Sequence, residues 1–256
     1  MSPQQTKDKV AVVTGAAMGI GRAYAVRLAD DGFRVVLSDL NDTAETAELI
    51  AKNGGTSLSV MTDVSDPVSV GELGERVQAE LGRCDVLVNN AGIYPFQLWD
   101  EITFEDWRKV LSVDLDSMFL TAKAFAPGMR ERGWGRIVNQ TSNVLGIVLP
   151  GVVHYTAAKG GVVGFTRALA TELGQYGITV NAIAPGLTRT PGTMSRQPDP
   201  NSVEDPEEMV EFAKLQAIPR VQKPEDLTGV LAFLVSESAA FVTGQTYWVD
   251  GGLIRG

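Results

Sequence analysis

The stretch HYTAAKGG, residues 154 to 161, sets Tyr155 and Lys159 four positions apart. On a helix, residues at i and i+4 share a face and their side chains meet. A phenol beside an ammonium group is one way to move a proton, because the cation favours the phenolate. The same spacing also describes an ordinary helix face, so the pair alone leaves both readings open.

A second cluster is TGAAMGIG, residues 14 to 21. A glycine-rich turn from strand to helix lets backbone N–H groups approach a pyrophosphate at the positive end of the helix. Gly15, Met18, Gly19, Ile20 and Gly21 are the expected cradle. Asp39 ends the next strand-like run. An acid about 20 residues beyond such a turn accepts hydrogen bonds from the adenosine ribose hydroxyls and repels a 2′-phosphate. Ala16, Ala17 and Met18, between the glycines, offer no cation to such a phosphate. Together these residues predict NAD rather than NADP. Asp39 would otherwise cap the following helix, but Asn41 and Asp42 are available for that. Asp63 and Val64 after the third run, and Asn89, Ala91 and Gly92 of NNAG after the fourth, fall at the same carboxyl edge, where open α/β sheets bind ligands. Asp63 is expected to touch adenine, with an Asx turn as the structural alternative.

These residues need elements to position them. Short β-branched runs occur at 9–14, 34–39, 57–64, 85–90, 136–142, 178–185 and 246–250, separated mostly by helix-sized segments. Near-continuous apolar runs of this kind mark strands buried on both faces of a parallel sheet. Asp66 with Pro67, Thr103 with Asp106, and Lys223 with Pro224 signal helix starts. The expectation is one α/β domain over residues 1–256, a doubly wound, Rossmann-like parallel sheet of about seven strands. Residues 191–219, rich in proline, acid and small polar residues, break the rhythm. They are either a surface loop or a mobile lid, with a short amphipathic piece near 207–216.

Composition narrows the function classes. The chain has 256 residues, 44% hydrophobic and 21% charged, enough for one sizeable core. A formal charge of −9, with no basic stripe, excludes nucleic acid as a partner. The N-terminal MSPQQTKDK lacks the apolar region of a signal peptide. No apolar stretch reaches the roughly 18 residues of a membrane span, so a cytoplasmic protein is expected. Cys84 and His154 are the single cysteine and histidine, which rules out an intrachain disulfide and argues against a zinc site. Cys84 is read as buried filler, and His154 as a packing or subunit-contact residue rather than a second base.

The ordered set TGxxxGIG, NNAG, Ser142 placed 13 residues before YxxxK, and PG at 185–186 resembles the short-chain dehydrogenase/reductase family. The similarity runs through TGQTYWVDGG at 243–252. It implies that Tyr155 is the acid/base, that Lys159 makes it one and holds the nicotinamide ribose, and that Ser142 hydrogen-bonds the substrate oxygen. A tyrosine ordinarily ionises near pH 10, so service near neutrality requires roughly 4 kcal/mol of preferential anion stabilisation. The resemblance also places Pro185, Gly186, Thr188 and Thr190 at the nicotinamide end. It implies a homotetramer packed through helices around 103–132 and 152–176 and the C-terminal tail. One position departs from the family: where its members usually carry asparagine in VNL, this chain has VDL, with Asp114. The main-chain carbonyl that the family uses to hold a proton-relaying water survives, and the added carboxylate is expected to act on Lys159 and alter the pH profile.

The segments expected to wall the substrate pocket, IYPF (93–96), NVLGIVLPG (143–151) and the 191–219 lid with Leu187 and Met194, are largely apolar and hold no clustered cations. They favour a small, mainly apolar, aryl-substituted alcohol or ketone. GRCDVLVNNAGIYP and LQAIPR are similar to phenylethanol dehydrogenases. AAKGGVVGFTRALATELGQYGIT and SNVLG are similar to pyridoxal 4-dehydrogenase. The alternatives are a 3-oxoacyl carrier-protein reductase, usually NADP-linked, and a regulatory protein that binds NAD without turnover.

Overall fold

The computed structural model describes residues 6, 8–195 and 199–255. Its strands are β1 (Val10–Thr14), β2 (Arg34–Asp39), β3 (Ser57–Met61), β4 (Val86–Asn89), β5 (Gly135–Gln140), β6 (Ile178–Pro185) and β7 (Thr246–Val249). They form one seven-stranded sheet in the order β3-β2-β1-β4-β5-β6-β7, with every neighbouring pair parallel. The helices are α1 (Gly19–Asp30), α2 (Ala44–Lys52), α3 (Pro67–Leu81), α4 (Phe104–Leu111), α5 (Ser117–Arg132), α6 (Val153–Leu173), α7 (Pro191–Met194), α8 (Glu207–Ala213) and α9 (Glu225–Leu234). Between α4 and α5 the chain makes a π-helical turn, Ser112–Asp116.

Apolar runs without alternation become central strands because successive side chains enter opposite cores. Ala11 and Val13 of β1 join Val35, Leu37, Val86 and Val88 in a cluster under α1, α2 and α9. Val10 and Val12 point the other way, with Val36, Leu87 and Ile137, into a cluster completed by α3, α5 and α6. The run at 57–64 behaves differently. Its strand stops at Met61 at the edge of the sheet, and Ser57, Ser59 and Met61 are exposed. An edge strand has one unpaired side and needs less apolar surface.

Two of the expected helix starts are capped as their residues dictate. The Asp66 side chain accepts from Val68 N with Pro67 at the first position, and Thr103 and Asp106 form a reciprocal capping box. At the third, Pro224 occupies the N-cap, and Asp226 from the first turn reaches back to accept from Lys223 N. Within 191–219 the chain forms the short α7 and then α8. Residues 196–198 of the expected lid lie outside the described residues. Met194, Met209, Ala213 and Val221 make a small apolar cluster with Leu187. No helix among the described residues is long and apolar enough to cross a membrane.

Candidate active site

The glycine turn links β1 to α1 at the carboxyl edge of the sheet. Gly15 has a φ of +67°, which a side chain rarely tolerates, and a Cβ on Gly21 would lie 1.9 Å from the Gly15 carbonyl oxygen. The turn is braced from β4: Asn90 Nδ2 donates to the Thr14 and Gly15 carbonyls, and Asn90 N and Ala91 N donate to Thr14 Oγ1. The NNAG motif marks Asn90 as part of the ligand edge, but its bracing role is not legible in the letters. Its partners are backbone groups about 75 residues away, which leave no local signal.

Asp39, buried at the end of β2, reaches the same turn. Its Oδ2 accepts from Ala17 N at 2.9 Å, and its Oδ1 accepts from Asn41 N at 2.8 Å. Near the start of α1, Arg22 is gripped by Glu45 through two bonds of 2.7 and 2.8 Å. Asp63 makes the Asx turn weighed as its structural alternative, its Oδ1 accepting from Ser65 N and Oγ, and Val64 beside it is buried. The Asn89 carboxamide points into the sheet rather than toward a ligand. It donates to Asn139 Oδ1 and accepts from Thr121 Oγ1, so a cofactor contact there falls to its main chain.

A cleft of about 1060 Å³ opens at this edge. Ile20, Asn90, Gly92, Pro185, Gly186, Thr188 and Thr190 line it together with Ser142, Tyr155 and Lys159. Thr188 Oγ1 donates to Gln222 Oε1, which anchors the segment that follows β6. Thr190 caps α7 by accepting from Thr193 N. Gly15, Met18, Gly19, Gly21, Asp39, Asp63 and Val64 lie outside the cleft lining, along the turn and the strand ends toward β3.

The β5 end delivers Ser142, whose Oγ accepts from Val144 N at 3.2 Å. One turn of α6 separates Tyr155 from the buried Lys159, whose Nζ donates to the Gln140 carbonyl at 3.2 Å and lies 5.4 Å from the centre of the Tyr155 ring. Asp114 is fully buried in the π turn, a deformation that concentrates at functional sites. Its Oδ1 accepts from Ile93 N at 2.7 Å, and its Oδ2 lies 3.8 Å from Lys159 Nζ. Burial pushes the Asp114 carboxyl up, against the pull of the Lys159 ammonium.

The lining includes the apolar and aromatic side chains of Tyr94, Phe96, Leu149, Leu187, Met209 and Phe212. Tyr94 meets the Tyr155 ring edge-on at 4.6 Å between centroids. Lys109, Asp106 and Glu208 also line the cleft. Glu208 comes from the expected lid, whereas α4 brings Asp106 and Lys109 in from outside the expected wall segments.

This constellation has relatives. Residues 15–254 match the family profile described as enoyl-(acyl carrier protein) reductase. The chain is 39% identical over 251 residues to a 3-oxoacyl-[acyl-carrier-protein] reductase of Synechocystis sp., covering 96% of this chain and 97% of that one. It is 40% identical over 248 residues to the cis-4-hydroxycyclohexanecarboxylate dehydrogenase of Sinomonas cyclohexanicum, covering 96% of each. The chain belongs to the short-chain dehydrogenase/reductase family. Among solved structures of similar fold, one from Beutenbergia cavernae, provisionally assigned as an NAD(P)-dependent gluconate 5-dehydrogenase and holding NADP at low occupancy, superposes with a TM-score of 0.88 at 38% identity over 96% of both chains. As a short-chain dehydrogenase/reductase, the protein is an oxidoreductase that works with a nicotinamide cofactor on a small molecule. The glycine turn at the N-terminus of α1, with a carboxylate at the end of β2, fits the dinucleotide.

Proposed function

We propose that the protein is an NAD-linked alcohol dehydrogenase or carbonyl reductase for a small, mainly apolar, aryl-substituted alcohol or ketone. The observation that carries this reading is the convergence of Ser142, Tyr155 and Lys159 on one cleft that is also lined by the aromatic and aliphatic side chains of Tyr94, Phe96, Leu149, Leu187, Met209 and Phe212. NAD is supported by Asp39, whose carboxylate sits against the glycine turn where a 2′-phosphate would meet negative charge. Arg22 is already committed to Glu45. Gly15, Met18, Gly19, Ile20 and Gly21 would hold the pyrophosphate, Asp63, Val64, Asn89, Ala91 and Gly92 the adenosine side, and Pro185, Gly186, Thr188 and Thr190 the nicotinamide end.

When bound, the nicotinamide ring supplies the hydride acceptor. Tyr155 takes the hydroxyl proton as the alcohol is oxidised and returns it on reduction. Lys159 favours the phenolate and is held in place by the Gln140 carbonyl. Because Ser142 Oγ accepts from Val144 N, its own hydroxyl proton remains to donate to the substrate oxygen as carbonyl character develops. Asp114 acts on Lys159 from behind. Through Met209 and Phe212, α8 contributes to the cleft wall, which supports a lid role for 191–219. The assembly is proposed to be a cytoplasmic homotetramer.

The Synechocystis relative favours a second reading, reduction of a 3-oxoacyl thioester. The deciding experiment is an initial-rate screen with NAD and NADP against aryl secondary alcohols, pyridoxal and aliphatic alcohols, and in reverse with ketones and 3-oxoacyl thioesters. NAD-linked turnover of a ring-bearing alcohol is expected, with Tyr155→Phe at least about 10³-fold slower and NAD affinity within a few-fold of wild type. Turnover confined to 3-oxoacyl thioesters with NADPH would replace this reading with the second. Tight NAD binding without turnover of any compound would make the protein a sensor.

A further inference from the structure

His154 is the chain's single histidine, is fully buried and directly precedes Tyr155. Its ring is engaged on both sides. The Tyr155 backbone N–H donates to Nδ1 at 2.9 Å, and Nε2 lies 3.1 Å from Gln97 Oε1. A backbone N–H can only donate, so Nδ1 is bare and the ring proton sits on Nε2, where it donates to Gln97. Gln97 is itself fixed, its N–H donating to the Gly151 carbonyl at 2.9 Å.

Each partner has a place in the cleft. Tyr155 is the third residue of α6, and N–H groups in a first helical turn have no intrahelical acceptor. Val152, at the N-cap, has no side chain to supply one, and His154 Nδ1 accepts instead. Gln97 follows the segment that carries Tyr94 and Phe96 into the pocket wall, and Tyr94 rests its ring on Tyr155.

We propose that His154 is a positioning residue: as the Nε2–H tautomer it ties the backbone of Tyr155 to the Gln97 loop, so that the acid/base and the aromatic wall keep one geometry. The role of Tyr155 in this statement rests on the function proposed above. Protonation of the ring breaks the tie, because Nδ1–H would then face the Tyr155 N–H, donor against donor. The charged group acting on the ring is Asp106 of α4, which favours the cation. The loop contributes the neutral Gln97 carboxamide, and α6 the Tyr155 main-chain N–H. Burial outweighs Asp106 and holds the imidazole below its ordinary range.

A single histidine makes the tautomer directly readable, since ¹⁵N-labelled protein yields one pair of ring-nitrogen signals. Near pH 7.5 the expected spectrum has an unprotonated Nδ1 and a protonated Nε2, converting to the cation with a midpoint below about 6.5. A protonated Nδ1 or an even tautomer mixture would overturn the proposal. No substrate is needed, so this result decides the tie even if alcohol oxidation fails.

Kinetics with 1-phenylethanol and acetophenone test the consequence. His154→Leu, which removes both bonds, is expected to lower kcat about tenfold and raise KM. His154→Asn, whose Oδ1 falls near the Nδ1 position, is expected to restore kcat to within about threefold of wild type and leave KM raised, because the Gln97 arm is lost. Gln97→Leu should reproduce the KM effect alone. In acetophenone reduction, wild-type activity should fall as the pH drops through the NMR midpoint, and His154→Asn should lack that limb. Wild-type kcat, KM and pH dependence in Gln97→Leu and His154→Asn would reduce His154 to packing, and those two variants keep the test decisive if His154→Leu does not fold.

Discussion

At 3.8 Å from Lys159 Nζ, Asp114 Oδ2 is buried and accepts no hydrogen bond. An asparagine there would leave the field of Lys159 on the Tyr155 phenol undiminished, whereas an ionised aspartate offsets part of it. Desolvation raises the Asp114 carboxyl against the pull of the Lys159 ammonium, so it gives up its proton at a higher pH than an ordinary aspartate. Once Asp114 is ionised, the phenolate is less favoured and the acidic limb of kcat/KM for alcohol oxidation sits at higher pH. Asp114→Asn is expected to move that limb down by about one pH unit, or 1.4 kcal/mol. A superimposable pH profile for the variant would deny the carboxylate any influence on the proton transfer. The same residue shows what a sequence leaves visible. That VDL departs from VNL is plain from the letters, but that Oδ1 is consumed by Ile93 N while Oδ2 faces Lys159 depends on a loop, a π turn and a helix meeting.

Elements hold these atoms in register, and one of them depends on a buried carboxylate at the opposite end of the sheet. Asp85, just before β4, accepts from Val10 N at 2.9 Å, takes two bonds from Arg83 at 2.8 and 2.7 Å, and lies 3.6 Å from Arg132 Nε. It therefore pins the start of β1, the strand whose other end carries the glycine turn. Asp85→Ala strands a buried backbone N–H and leaves two arginines without this carboxylate, which is expected to cost about 3 kcal/mol. For a chain of this size the thermal midpoint should fall by about 6 to 12 °C, measured by calorimetry. A fall under about 2 °C would show that the strand start is held by something else. At this scale the sequence was most informative. The alternation of apolar runs with helical segments specified the strands, because each central strand had to be apolar on both faces. The 57–64 run was too long by three residues because edge position is set by strand order, which no run of letters encodes.

For the whole molecule, the uncovered apolar side chains point to assembly. Phe104 on α4 is 79% exposed and Phe119 on α5 is 53% exposed, in the helical region through which relatives by resemblance were expected to pair. Light scattering on the purified protein should give a mass near four times the 27.4 kDa of one chain. Phe119→Asp should lower that mass, since a charge would be buried without a partner. A monomeric wild type at micromolar concentration would refute the tetramer.

By itself, the sequence determined the doubly wound class, the glycine turn and the acid at the end of β2, and its family resemblance singled out Ser142, Tyr155 and Lys159. Strand periodicity, turn glycines and i,i+4 spacing are local properties, written in neighbouring letters. Only the tertiary structure decided that Asn90 braces the turn and that the Asn89 side chain belongs to the sheet. It also brought Asp106 and Lys109 to the cleft and tied His154 to Gln97, 57 positions away. Those outcomes are pairings between segments far apart in the chain. They exist only once packing on the two faces of the sheet has set which strand and helix ends lie side by side.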